Sequence, residues 1–437
     1  MTRVNLQTAR GTDCQGGKRQ ARFNPISLDA LNFLLADVRG ALGPYLNVYL
    51  VTDQHWSQSA VGLVTTIGGY VGLIGQTPAG ALIDATRAKR ALIILALCVL
   101  AIGALVIFVS ATFWPVMLAN AAIGLVGDIF QPAVTALTLG LVARRALARR
   151  IGRNSAFDHA GNVAIAAAAG LVGWIWSQRA VFLLVPIFAL ASAIATLTIP
   201  AAAIDHERAR GADDGPRSQV ESGARGSRKV LGLSALVTCR PLLVYGGCTL
   251  LFHFANAPLL PLVGQKLALA HKDLATAMMS ACIIAAQLIM LPIAILVGRT
   301  ADSWGRKPIL LVGFGILPVR ALLYTLSNST PWLIGVQLLD GVGAGIFGAI
   351  TPLVIADLMR GTGRFNLAQG AVGTAQGIGA ATSGLFTGII VDSYGYSAAF
   401  LSLASVAAIA LATLALALPE TAGANVNDTA PLAQQGY

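Results

Sequence analysis

The sequence predicts an all-α integral membrane protein, with twelve transmembrane helices in two six-helix, pseudo-symmetric halves. Three observations carry this. Apolar runs recur along all 437 residues, one polar stretch near the middle divides them six and six, and the basic residues fall on one side of an alternating topology.

The chain is 56% apolar and 11% charged, with a mean hydropathy of +0.72. A soluble domain carries roughly 25% charged residues. A globule of this length cannot bury so much apolar surface, and a bilayer accepts it. Apolar runs near the roughly 20 residues needed to span are read at 28–50, 58–79, 91–111, 114–141, 155–177 and 180–203. Six more are read at 241–264, 274–298, 308–327, 331–356, 366–391 and 396–418. Residues 204–240, with Asp205, Glu207, Asp213, Asp214, Gly, Ser and several Arg, have linker chemistry. The expected organisation is a cytosolic tail 1–26, a first half 27–203, a cytosolic linker 204–240, a second half 241–418 and a cytosolic tail 419–437. No cleaved signal is read in the polar, basic N-terminal tail.

Basic residues mark the cytosolic side of a membrane protein. With the N-terminus inside, 25 of the 30 Lys and Arg fall in the tail, loops 2–3, 4–5, 8–9 and 10–11, and the linker. Arg179, Lys266 and Lys272 fall on the other side, and Arg39 and Arg320 within spans. The split supports an even number of spans in the cell inner (plasma) membrane with both termini cytosolic. It also accounts for the net charge of +11 without a nucleic-acid partner. Cys14, Cys98, Cys239, Cys248 and Cys282 have no metal-ligand spacing, and neither a metal nor a cofactor is expected.

The two halves repeat each other at a shift of 217–218 residues. Gly80, Asp84 and Lys89 after span 2 match Gly298, Asp302 and Lys307 after span 8. Ile129-Phe130 matches Ile346-Phe347, and Pro44 matches Pro261. Glycine, four residues, aspartate and a basic pair, in both loops, resembles the signature loop of the major facilitator superfamily. The second copy keeps the aspartate-x-x-glycine-arginine-lysine order through Asp302, Gly305, Arg306 and Lys307, whereas the first has Arg87 at the inner glycine. The resemblance covers about residues 28–418. It implies a cytosolic latch formed by Gly80, Asp84, Arg87, Lys89, Gly298, Asp302, Gly305, Arg306 and Lys307. Asn120-Ala-Ala-Ile-Gly124 in span 4 lacks the arginine usual in that family's drug–proton antiporters, and span 5 lacks their glycine-proline pair. A standard drug–proton antiporter is therefore not favoured.

Charges at membrane depth are costly and face a cavity or a partner. Asp37 and Arg39 lie in span 1, Asn120, Asp128 and Gln131 in span 4, His253 and Asn256 in span 7, and Asp340 in span 10. The resemblance implies that these four spans line a central cavity, so the eight residues are the expected substrate and proton site. Asp37 and Arg39, two apart, point to different sides of a helix, which makes Asp128 the first candidate partner for Arg39. Duller readings stay open: a fixed Arg39–Asp128 pair, local bonding of Asp340 beside Gly341, Gly343 and Gly345, and a hydrogen-bonded core His253. Arg320 is read as snorkelling or structurally paired. Asp158, His159 and Asn162, near the cytosolic start of span 5, either line the inner vestibule or only cap the helix, and the capping reading is favoured.

No nucleophile elbow, phosphate loop or His/Cys ligand set competes, so an enzyme is not expected. The sequence is read as a secondary active transporter of a small organic solute, working by alternating access, with proton coupling expected and a slight lean to efflux. A proton-coupled importer of a metabolite and a non-transporting receptor on the same fold are the alternatives. The expected partners are the solute, a proton or other coupling ion, and the lipid bilayer, with the chain acting as a monomer.

Overall fold

The structure is a computed structural model, and it describes residues 24–36, 38, 42–206, 209, 239–360 and 365–422. Among them every regular element is helical. The first half runs α1 Pro25–Leu35, α2 Gly43–Thr52, α3 Gln58–Ala85, α4 Lys89–Val109, α5 Phe113–Leu141, α6 Arg144–Ile175 and α7 Leu184–Leu197. The second runs α8 Arg240–Asn256, α9 Leu259–Ala270, α10 Ala275–Trp304, α11 Arg306–Leu326, α12 Thr330–Leu358 and α13 Phe365–Ala417.

Three expected spans take a different form. Span 1 is two pieces, α1 and α2, instead of one helix over 28–50. Leu42 adopts a left-handed φ of 58°, and Pro44 follows in the first turn of α2, without an N–H for the preceding turn. Span 7 is likewise α8 and α9, separated at Ala257 and Pro258. Span 5 starts at Arg144, well before 155, because the basic run Arg144–Arg153 is rich in Ala and Arg, both strong helix formers. Asp158, His159 and Asn162 therefore lie inside a long helix and do not cap its start. The eleventh and twelfth spans meet at Gly395, whose φ of 81° and ψ of 173° break α13.

Nine helices among the described residues are long and apolar enough to cross a membrane. The first span is missed because its pieces are short, α6 because Asp158, His159 and Asn162 dilute its apolar part, and α13 holds two passes. The twelve passes thus recover the expected fold. Each half has its own apolar core, the first around Leu31, Tyr45, Ile123 and Phe182, the second around Tyr245, Phe314, Phe400 and Leu403.

The halves meet along α3 against α13 and α6 against α10. Their closest contacts gather at one end. There Gly62 lies against the Gly384 carbonyl so closely that a methyl group on either glycine would collide. Thr66 Oγ1 donates to the Ala381 carbonyl at 2.7 Å, Tyr70 and Thr382 hydroxyls are 2.7 Å apart, and Tyr45 and Ser280 hydroxyls 2.8 Å. At the other end, which carries the basic connections after α3 and α10, nothing packs against Gly80, Gly152, Gly298 or Gly370. The bundle is sealed at one end and open at the basic end.

Candidate functional site

A cavity of about 500 Å³ lies beside α1, α5 and α6. Helical spacing places Asp128, Gln131 and Thr135 on one stripe of α5, and Asn154, Asp158 and His159 come from α6. Asp128 is exposed to this space and makes no hydrogen bond or ion pair among the described residues. At its edge His159 Nδ1 lies 2.8 Å from Gln287 Oε1 of α10, so this bond crosses between the halves. An amide oxygen only accepts, so Nδ1 carries the proton, and the bond holds a tautomer that leaves Nε2 as an acceptor when the ring is neutral.

The cavity borders a buried charge cluster. Asp29 in α1, 4% exposed, forms an ion pair with Arg150 at 2.8 Å and accepts from Arg153 at 2.5 Å. Arg150 Nε also donates to Asn154 at 2.8 Å, and Asn154 Nδ2 donates to Thr138 at 3.0 Å. Sequence reasoning took both arginines as topology markers and passed over Asp29. A lone carboxylate one turn into an apolar span was the available signal.

The other expected residues divide into groups. Asp37 and Arg39 lie outside the described residues. Asn120 donates to the Val64 carbonyl at 3.0 Å and so fastens α5 to α3. His253 is half-buried, with Nδ1 3.0 Å from the Thr249 carbonyl and its ring against Phe252 and Phe347. Asp340 and Asn256 are brought together by Arg320, a 2%-exposed side chain of α11 that donates to Asp340 and, at 2.9 Å, to Asn256 Oδ1. Gln337 Nε2 completes the cluster by donating to Asp340 at 2.9 Å. These two residues thus sit in a paired network inside the second half.

The latch residues differ between copies. Asp84 belongs to the last turn of α3, and its side chain lies outside what the structure describes. Lys89, 1% exposed, donates to the Ile83 and Thr86 carbonyls and so caps the end of α3. Arg87 is exposed. In the second copy Arg306 joins Asp302 at 2.8 Å and Asp357 at 3.0 Å, and Arg360 reaches Asp357 at 3.3 Å. Gly305, with φ 86°, lacks the Cβ that would stand 2.7 Å from Glu420. That space lets Glu420 accept from the backbone N–H of Arg306 at 2.9 Å and of Lys307 at 3.0 Å. Gly80 and Gly298 face open space in this state.

At the sealed end Asp392, between the eleventh and twelfth passes of α13, accepts from the backbone N–H groups of Gln58 at 2.9 Å and Ser59 at 2.8 Å, across the halves. It therefore caps the positive N-terminus of α3. Burial raises the Asp392 carboxyl, but the Ser59 and Gln58 bonds outweigh it and hold the group below the usual carboxylate range. Gln58 adds a bond to the Tyr396 hydroxyl at 2.8 Å. Nothing in the sequence separated Asp392 from an ordinary loop aspartate.

The Major Facilitator Superfamily model matches residues 28–319 and 242–434. An uncharacterized MFS-type transporter of Mycobacterium tuberculosis is 47% identical over 400 residues, 92% of this chain and 94% of that one. The chain belongs to the major facilitator superfamily. A multidrug resistance protein of Schizosaccharomyces pombe is 28% identical over 109 residues, 24% of this chain and 20% of its own. Among solved structures, a mutant of the nucleoside transporter NupG superposes with a TM-score of 0.73 at 14% identity, covering 90% of this chain and all of that one. An inward-facing bacterial homologue of the human lysosomal transporter Spinster gives 0.66 at 13% identity, over 90% and 94%. These structures share the fold. As a superfamily member the chain is a multi-pass membrane transporter that moves a solute through the bilayer by secondary transport.

Proposed function

We propose that this transporter carries a small organic solute by proton-coupled alternating access and works in the direction of export. The basic end is cytosolic in this reading, as the distribution of Lys and Arg supports, so the structure is the inward-facing state. Asp128 carries the reading. It is a carboxylate deep in α5, facing a cavity open to the basic end. A carboxylate at such depth on a cavity wall is a group able to take up and release a proton during the cycle. Asp158 and His159, on the same wall, supply further polar contacts for the solute. Export rests on the partial similarity to the multidrug resistance protein.

The test uses the purified protein in vesicles with an imposed pH gradient, and candidate solutes found by thermal shift. Asp128→Asn is expected to abolish gradient-driven accumulation while sparing solute exchange, which needs no net protonation. Unchanged accumulation in that variant would remove Asp128 from the proton path. Accumulation driven inward by a proton gradient would turn the direction to uptake.

A further inference from the structure

A second cavity, of about 160 Å³, lies between the halves at the sealed end, among α2, α3, α9 and α13. No charged side chain lines it. Asn47 from α2 and Gln265 from α9 face this space from opposite halves. They occupy comparable places in the internal repeat, within one residue of the 217-residue shift that relates Pro44 to Pro261 in the same two spans. Asn47 is 9% exposed and Gln265 2%. The side-chain oxygen of each is buried without a hydrogen-bond partner among the described residues. A buried amide left unmet costs about 1–3 kcal/mol. Two such amides, one from each half and on one cavity, mark a place for an occupant.

The rest of the wall says what kind. Thr65, Ser383 and Thr387 each donate their hydroxyl proton to a helix carbonyl of the preceding turn, at 3.0, 2.7 and 2.7 Å. Their oxygens are left to accept. Ala257, at the break between α8 and α9, also lines the cavity. Four residues on stands Pro261, which has no N–H to give the Ala257 carbonyl. The wall thus offers the amides of Asn47, Gln58 and Gln265, three hydroxyl oxygens and one carbonyl that lacks its usual helix donor, all neutral and each with an oxygen able to accept. Hard cations take such oxygen donors, and interrupted transporter helices hold monovalent ions with freed carbonyls. At roughly 30 Å³ per water, there is room for the ion to keep part of its hydration.

We propose that this cavity is a sodium-ion site bridging the two halves. The ion supplies the positive charge that the orphaned oxygens of Asn47 and Gln265 lack. Because it binds one amide from each half, it stabilises the state sealed at this end and leaves before that end opens. The site is independent of which residue carries a proton.

The experiment measures the melting temperature of the purified full chain in sodium chloride against choline chloride at equal ionic strength, with binding of radioactive sodium ion in parallel. Native protein is expected to be stabilised saturably by sodium, and Asn47→Leu with Gln265→Met to lose both the stabilisation and the binding. Gln265→Glu places a carboxylate on the same wall and should lower the half-saturating sodium concentration about tenfold or more. Equal melting of native protein in the two salts would mean that the cavity holds water only, and would overturn the site. Saturable binding that survives both sets of substitutions would place the ion elsewhere and overturn it equally. If the double variant fails to fold, Gln265→Glu decides, since no tightening there also refutes the site. None of these readouts depends on transport, so the proposed export function stands or falls separately.

Discussion

Asp392→Asn removes the charge that caps α3 from the opposite half. The native carboxylate accepts from Gln58 and Ser59 backbone N–H groups at 2.9 and 2.8 Å. Asparagine keeps one acceptor and turns its amide N–H toward the other donor, so one bond is lost and the second loses its ionic character. A charge-assisted bond contributes about 1.5–3 kcal/mol when dry, and Asp392 is exposed, so screening reduces the expected loss to about 1–2 kcal/mol. At 1.4 kcal/mol per factor of ten, the population moves about 5- to 30-fold toward the state open at this end. Spin labels at Asp53 and Tyr394, both exposed, report the separation by pulsed electron resonance, with native cysteines replaced. A longer-distance population should grow in the variant. An unchanged distance distribution would refute the reasoning. The pH dependence has a definite sign. The sealed state holds the carboxyl below its ordinary value, so the clamp is complete above the value of the released group, about 3.9. It weakens only as pH falls through the lower value of the sealed state. Between pH 5 and 8 the seal should therefore not respond to pH.

Further perturbations separate structural charges from working ones. Asp29→Asn leaves Arg150 buried without its carboxylate and should lower stability by about 3 kcal/mol, read as a loss of melting temperature. Asp340→Asn should destabilise similarly by stranding Arg320, and Arg320→Gln with Asp340→Asn should recover most of the loss. Recovery failing would assign Asp340 more than a structural part. Glu420→Gln should loosen residues 419–422 from the start of α11, measured as faster amide exchange at Arg306 and Lys307. Single cysteines at Ser218 and Thr330 should label from opposite sides of the membrane. Labelling from one side would overturn the orientation.

The span count, the division into halves and the repeat were legible because a bilayer imposes length and polarity on every pass. The breaks in spans 1 and 7 were not, although Gly43, Pro44, Pro258 and Pro261 stood in plain view. Hydropathy averages over a window and is blind to a proline that leaves the average unchanged. The basic start of α6 was misread for the opposite reason, since charge there outweighed the helix propensity of Ala and Arg. Asp128 was singled out because a carboxylate inside an apolar run is conspicuous, and the structure places it on a cavity wall. Asp392, Glu420 and Asn47 were not, because each meets backbone groups or a cavity wall that only the fold assembles. Pairing across helices was equally hidden, as Asp340 has its arginine on α11 and not on its own helix.

The two ends of the transporter answer to different solution variables. The sealed end is held by glycine contacts and by hydrogen bonds to backbone groups, with the Asp392 cap, among the described residues, as its one exposed charged contact across the halves. The open end is rimmed by cationic side chains, with Arg87 exposed and Arg153 and Arg360 52% and 59% exposed. Closing it gathers like charges, and their repulsion fades once the screening length drops to about 10 Å near 0.1 M salt. Screening by added salt therefore acts mainly on the basic gate, and rates measured in dilute buffer describe a cycle biased toward the state open at that end.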